Sequence, residues 1–400
     1  MKLKIGNPAT GDDFFHRETL KNRILRSLER DHVAFVGPRR TGKTSLLKDI
    51  ESNPPEGVLA VFLDLEEFDS VPAWISAMLA RTKRLLSTPA HKSWLERSGK
   101  AAKGILSHIE RIEILGNEIK LASGKPSSEV WRPMADQFLE LLRESNLPIY
   151  FLLDEFPWYL GLVAKRHTPI EVESVLNWFR GMRQELAGGR TRFLVTGSIG
   201  LDGLLRRLGL SPTANDFDTL EIPPLTDSEA LDFLTELSTG EKIPLSEGAG
   251  RLIIGLLGAN WPIMLELFLS EVQEMELAKS PTKAQLGEIY QTRMVRGARN
   301  KYCQEMFTRI FKEEMFSPVE RRIAQDILKL LVNQSKIGTS DFESIHTRIV
   351  PDEAVRALTG NELAFVVDTL RHDGYLTRGE DGLYQFASNI LRDYWKHRTA

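Results

Sequence analysis

The stretch "FVGPRRTGKTSLL", residues 35–47, decides the fold. Gly37 to Thr44 follows the pattern G-x-x-x-x-G-K-[ST]. An apolar run, "HVAFV", precedes it, and a helical pattern opens near Lys43. Glycines at both ends let backbone N–H groups turn inward around phosphate oxygens. The positive end of the following helix points at the same place. Lys43 is expected to reach the β- and γ-phosphates, and Thr44 to ligate Mg²⁺. Gly37, Pro38, Arg39, Arg40, Thr41, Gly42, Lys43, Thr44 and Ser45 are therefore the candidate phosphate-binding residues.

A phosphate cradle needs a second half, and "IYFLLDEF" supplies one. Asp154 ends an apolar run, where its carboxylate can hold a Mg²⁺-bound water. Glu155, beside it, is the candidate general base for an attacking water. Such a residue separates hydrolysing enzymes from small-molecule kinases of the same fold. A further apolar run ends in "TGS", which offers the Thr196 and Ser198 hydroxyls as γ-phosphate sensors.

Outward from these motifs, short apolar runs alternate with amphipathic helical patterns. Strands are expected at "HVAFVG", 57–68, 148–160, 191–200 and 217–225, with helices at 18–30, 71–86 and 127–146. "RIEILGNEIKLAS" (111–123) reads as a hairpin around a Gly-Asn turn. Alternation of this kind predicts an α/β P-loop NTPase fold, a parallel sheet with helices on both faces. The pattern then becomes almost wholly helical. We expect a core over 1–225 carrying an insertion at 87–126, an α-helical lid over 226–315, and a winged-helix domain over 316–400. In that last region helix, helix, helix and the hairpin "YLTRGEDGLYQF" follow one another.

Composition excludes several classes. The 400 residues are 42% hydrophobic and 27% charged, with a net charge of −3. That balance is wrong for a coat-like nucleic-acid binder. A single cysteine, Cys303, can form neither an internal disulfide nor a zinc site. The most apolar window, "RLIIGLLGANWPIMLELFL" (251–269), carries Gly, Asn, Pro and Glu, so it reads as two buried helices and a turn. No membrane span is expected, and a cytoplasmic location is.

Together "FFHRETL", "GPRRTGKTSL", "LLDEF", "VTGSIG", "LEIPPLTDSEALDFL" and "LLGANWPIMLELF" resemble the archaeal-type ATPase family. That family is a branch of the P-loop NTPases near the STAND signalling ATPases and the origin-recognition AAA+ proteins. The resemblance runs through nearly the whole chain, and the doubled arginine is its most specific part. It implies ATP and Mg²⁺ as cofactors, with Lys43 and Thr44 as phosphate and metal ligands and Asp154 and Glu155 as metal-water ligand and base. It also implies that Phe15 and Arg17 border the adenine and that Pro262, in "ANWP", touches the base. The sequence departs from the family in three places. His16 stands where a glycine is usual, the lid turn Gly258–Pro262 has no arginine, and "LSPTANDFDTLEI" lacks the arginine often found before the fifth strand. Arg39, Arg40, Arg206 and Arg207 remain as candidates to face the γ-phosphate. A missing arginine finger predicts slow basal turnover.

Charge bears on the partner. Residues 316–400 hold 11 Lys/Arg against 12 Asp/Glu. The would-be recognition helix carries Glu362, Asp368 and Asp373, an unfavourable face for phosphates. This favours a protein partner docking through the lid or winged helix, with oligomers left open. The alternative is a DNA-acting ATPase, stimulated by nucleic acid. It draws on eight Lys/Arg between Arg81 and Arg111, and on Arg293, Arg296 and Arg299, spaced to drift round one helix face.

Overall fold

The computed structural model describes residues 1–86, 128–145, 148–166, 169–197, 200–311 and 316–399. The expected hairpin at 111–123, most of the basic stretch Arg81–Arg111, and Ser198 lie outside the described residues. The chain forms two compact units. One comprises Arg17–Val36 and Lys43–Ile222, the other Met1–His16, Gly37–Gly42 and Pro223–Ala400.

The first unit is built on five parallel strands: β1 (His32–Val36), β2 (Leu59–Asp64), β3 (Ile149–Asp154), β4 (Arg192–Thr196) and β5 (Phe217–Glu221). Their order is β2-β3-β4-β1-β5. Every residue of β3 and β4 is buried, as a strand covered on both faces requires. Among its described residues are the α-helices α1 (Glu18–Leu28), α2 (Lys43–Ser52), α3 (Val71–Leu86), α4 (Ser128–Ser145), α5 (Phe156–Arg166), α6 (Pro169–Leu186) and α7 (Leu201–Arg207). Its core is aromatic. Trp74, Phe138, Phe151, Phe156, Phe179 and Phe193 are all fully buried. Phe151 and Phe193 stack across adjacent strands at 5.2 Å. Each such burial contributes about 1.5–3 kcal/mol.

One expected strand is corrected. The apolar run 148–160 is strand only to Asp154, and α5 starts at Phe156. Between them Glu155 takes a left-handed backbone, φ 54°, and Pro157 sits where a helix's first turn tolerates it. Hydrophobicity alone cannot mark that break, because the start of α5, Phe156–Leu160, is apolar and largely buried, as β3 is.

Behind the sheet, Arg183 of α6 is 1% exposed. It grips Asp216 through two bonds of 2.7 and 2.8 Å and lies between the rings of Phe179 and Phe217. His32 accepts the Phe193 N–H on Nδ1 and donates from Nε2 to the Arg183 carbonyl. Those bonds use one neutral tautomer fully.

The second unit is mainly helical. It holds α8 (Asp227–Glu241), α9 (Glu247–Leu257), α10 (Pro262–Gln273), α11 (Lys283–Glu288) and α12 (Lys301–Arg309). Thr226 closes a capping box with Glu229 at the start of α8. The apolar window 251–269 is two helices, α9 and α10, separated by Gly258 in a left-handed C-cap. Then follow α13 (Pro318–Asn333), α14 (Thr339–Ile349), α15 (Glu353–His372), β6 (Leu376–Arg378), β7 (Tyr384–Phe386) and α16 (Asn389–Thr399). β6 and β7 pair antiparallel, and Ile337 bridges to Tyr384.

Two charge readings change here. A seven-residue π-helix, Ile289–Val295, ends the helix that was to carry Arg293, Arg296 and Arg299. At Gly297 the chain turns so tightly that a Cβ would stand 2.2 Å from the Arg293 carbonyl oxygen. The three arginines therefore share no helix face. Arg293 pairs with Glu271 and Arg299 with Glu274. Asp373 is likewise no surface acid: it is 1% exposed and paired with Arg309 at 3.1 Å. Among the described residues no helix is long and apolar enough to cross a membrane.

Candidate nucleotide-binding site

Asp154 is where the sheet unit concentrates chemistry. The carboxylate is 2% exposed at the C-terminal end of β3. Thr44 Oγ1, in the first turn of α2, donates to Asp154 Oδ2 at 2.6 Å. The Glu155 N–H donates to Asp154 Oδ1 at 3.1 Å. Burial, and after it the neighbouring Glu155 and Asp64 carboxylates, push the Asp154 pKa up to about 6, against the Thr44 hydrogen bond and the Lys43 charge. A cation is the natural complement of such a group. The donors present, a hydroxyl and carboxylates, are the hard oxygen ligands Mg²⁺ takes alongside phosphate. The residues fit the metal that the sequence implies.

Asp64 was not singled out from the sequence. It ends β2 and stands in register beside Asp154. The signal was present: "VFLDLEEF" repeats the shape of "YFLLDEF", an apolar strand closed by an acid.

Glu155 is half-buried, and its left-handed backbone is strained for a non-glycine residue. Such strain costs about 1–3 kcal/mol and collects at functional sites. Gly197, just after β4, makes room for the Pro157 ring beside it. A Cβ there would stand 2.6 Å from Pro157 Cδ and 3.6 Å from Glu155 Cα. Thr196 is 2% exposed, and its hydroxyl has no hydrogen-bond partner among the described residues. It lines a small recess with Ala34, Val36, Pro157 and Gly197. A buried hydroxyl of this kind has a donor and acceptor to spare. Lys43 and Ser45, on α2, are buried.

The loop before α2 carries the other predicted residues. Gly37 and Gly42 have positive φ, 149° and 95°, as a phosphate-cradling turn requires. Arg40, between them, is also left-handed at φ 60°. Thr41 closes the turn by donating to the Pro38 carbonyl at 2.8 Å. The doubled arginine does not point into its own loop. Arg39 Nη1 donates to one oxygen of Glu305, and Arg40 Nη2 to the other, both at 2.9 Å. Glu305 lies on α12, and no local pattern in the sequence marks it. Arg206 and Arg207 lie on α7.

Phe15 meets Phe233 of α8 edge-on at 5.4 Å. Arg17 caps α1. Pro262 opens α10, behind a buried Trp261 and an Asn260 whose amide donates to Asp227 at 2.8 Å. These contacts fix the segments expected to border a nucleobase.

No family model matches the chain, and no curated protein matches it. Solved structures do. The Walker-type ATPase of Pyrococcus abyssi is similar over 99% of this chain and 100% of its own, at 17% identity and a TM-score of 0.59. The ORC2 protein of Aeropyrum pernix, solved as ADPNP–ADP complexes, aligns over 96% of this chain and 93% of its own, at 13% identity and a TM-score of 0.48. The Cdc6p protein of Pyrobaculum aerophilum aligns over 98% of each, at 16% and 0.39. The first of these shows that the chain has the fold of a Walker-type P-loop ATPase.

Proposed function

We propose that this chain is a Mg²⁺-dependent ATPase of the archaeal type, working as a nucleotide-controlled switch on a partner. One observation carries the reading: the 2.6 Å bond from Thr44 to Asp154 joins the glycine-rich motif to the acidic strand end, 110 residues apart. The loop Gly37–Gly42 runs directly into Lys43 and α2, so backbone N–H groups and the lysine ammonium serve one phosphate chain. Thr44 and Asp154 would hold Mg²⁺, and the cation would supply positive charge against the phosphate oxygens. Glu155, on its left-handed backbone, accepts the proton of the attacking water. Thr196, with Ser198 as the second hydroxyl, orients the water or the terminal phosphate. Phe15, Arg17 and Pro262 border the base.

The organisation we propose is a core over 1–225, a lid over 226–315 and a winged helix over 316–400. A winged helix is supported by the order α13, bridge, α14, α15, β6, β7. Slow turnover is expected because residues 210–222, leading into and through β5, hold no arginine to serve as a finger. The DNA-acting alternative loses support where Arg293 and Arg299 are neutralised by Glu271 and Glu274.

The test is ATP turnover by wild type, Lys43→Ala and Glu155→Gln, with and without DNA. Slow turnover abolished in both variants and indifferent to DNA is expected. Unchanged turnover in Glu155→Gln would remove the assigned base. Many-fold stimulation by DNA would replace the switch with a nucleic-acid machine.

A further inference from the structure

The one carboxylate that holds both arginines of the phosphate loop sits far away in sequence. Glu305 is 265 residues from Arg40. Glu305 thus spans two guanidiniums, each spending one N–H on a separate carboxylate oxygen, and Asp373 also lies within electrostatic reach of Arg39. All three side chains are about a third exposed, at 36%, 35% and 28%. The arrangement is solvent-reachable and incompletely neutralised. Phosphate oxygens make the same bidentate, charge-assisted bonds to guanidinium as carboxylates do, with more charge.

Glu305 is not an isolated surface acid. One turn along α12, Arg309 pairs with the buried Asp373, which lies just beyond the end of α15. The Tyr375 hydroxyl donates to the Met306 carbonyl of the same helix. Between these residues, Gly374 lies so close to the phosphate loop that a Cβ would stand 2.7 Å from Pro38 Cγ. The loop therefore touches α12 through charge and the α15–β6 turn through close packing. Both contacts lie beside the bonds that join α12 to the α15–β6 turn, Arg309 to Asp373 and Tyr375 to the Met306 carbonyl.

We infer that Glu305 is an acidic latch. It holds Arg39 and Arg40 in place of nucleotide phosphate, and the phosphates of an arriving nucleoside triphosphate compete it away, freeing α12. This inference rests on the nucleotide reading above. It gives that reading a device: the loop that senses phosphate is tied to the helix that carries the C-terminal region. A latch of this type opposes binding, whereas a carboxylate that merely props the loop would favour it, so the two roles differ in sign.

The experiment measures binding of methylanthraniloyl-labelled ATP with Mg²⁺ to the full chain, as wild type, Glu305→Gln and Glu305→Ala. Removing two partly exposed charge pairs is expected to tighten binding by roughly three- to tenfold in both variants. A second measurement needs no variant: trypsin cleavage between Arg299 and Arg309 in wild type should rise when ATP or inorganic tripolyphosphate is added. Equal or weaker binding in the variants, or cleavage indifferent to phosphate, would overturn the latch. If wild type binds and hydrolyses ATP while the variants behave identically, the latch fails alone. If wild type neither binds nor hydrolyses ATP yet tripolyphosphate still exposes α12, the nucleotide reading fails and the arginine–carboxylate competition stands.

Discussion

Acidification should loosen the sheet unit through one histidine. Burial pushes the His32 pKa down to about 4, from an ordinary 6.5. The ring is 4% exposed, and both nitrogens are used by the neutral form. Nδ1 must accept the Phe193 N–H, and a proton placed there would destroy that bond. In the unfolded chain the same ring protonates normally. Because the folded value is depressed, its stabilising contribution is complete above about pH 6.5 and is lost as pH falls toward 4. From pH 7 to pH 5 the proton taken up by the unfolded chain alone is worth about 2 kcal/mol, and the full shift about 3 kcal/mol. His32→Gln keeps a donor and an acceptor but cannot titrate. Urea unfolding of both proteins at pH 7 and pH 5, followed by the near-ultraviolet circular dichroism of the aromatic core, reads the difference. Wild type should lose about 2 kcal/mol more than the variant over this interval. Equal losses, within about 0.5 kcal/mol, would refute the assignment of His32 as a buried neutral ring. Asp216, whose pKa the Arg183 bonds hold down against burial, contributes below this window.

Three further outcomes are expected. Asp373→Asn leaves Arg309 buried without its counter-charge and should cost about 3–5 kcal/mol in thermal or urea unfolding of the helical unit. Gly197→Ala drives a methyl group into the Pro157 ring, at 2.6 Å, and displaces Glu155. It should cost about 1–3 kcal/mol of stability and lower turnover far more than it weakens nucleotide binding, as steady-state kinetics beside a binding titration would show. Cys303 is fully buried, and burial pushes its thiol up to about 12, so iodoacetamide should modify it only after denaturant unfolds the chain, read by mass spectrometry.

Short-range physics made much of this protein legible in its sequence. The phosphate loop is contiguous, and its glycines, lysine and threonine are fixed by the bond geometry of one turn and one helix end. Runs of buried apolar residues announced the parallel strands, and Gly258 divided α9 from α10. Asp154 and Glu155 could be paired with that loop because strand ends of a parallel sheet converge there. The boundary at Glu155 was not legible, since a buried strand and a buried helix carry the same hydrophobicity.

Other features depended on partners remote in the chain. Asp373 looked like a surface charge on a helix, and only Arg309 made it an interior ion. Arg293 and Arg299 looked like a basic track until a π-helix and the turn at Gly297 separated them and brought each to a glutamate. Arg39 and Arg40 looked like loop residues facing a nucleotide, and tertiary folding gave both to Glu305. Chemical identity and local periodicity determine what a residue can do. Which charge it meets depends on contacts across hundreds of residues, whose register no local pattern encodes.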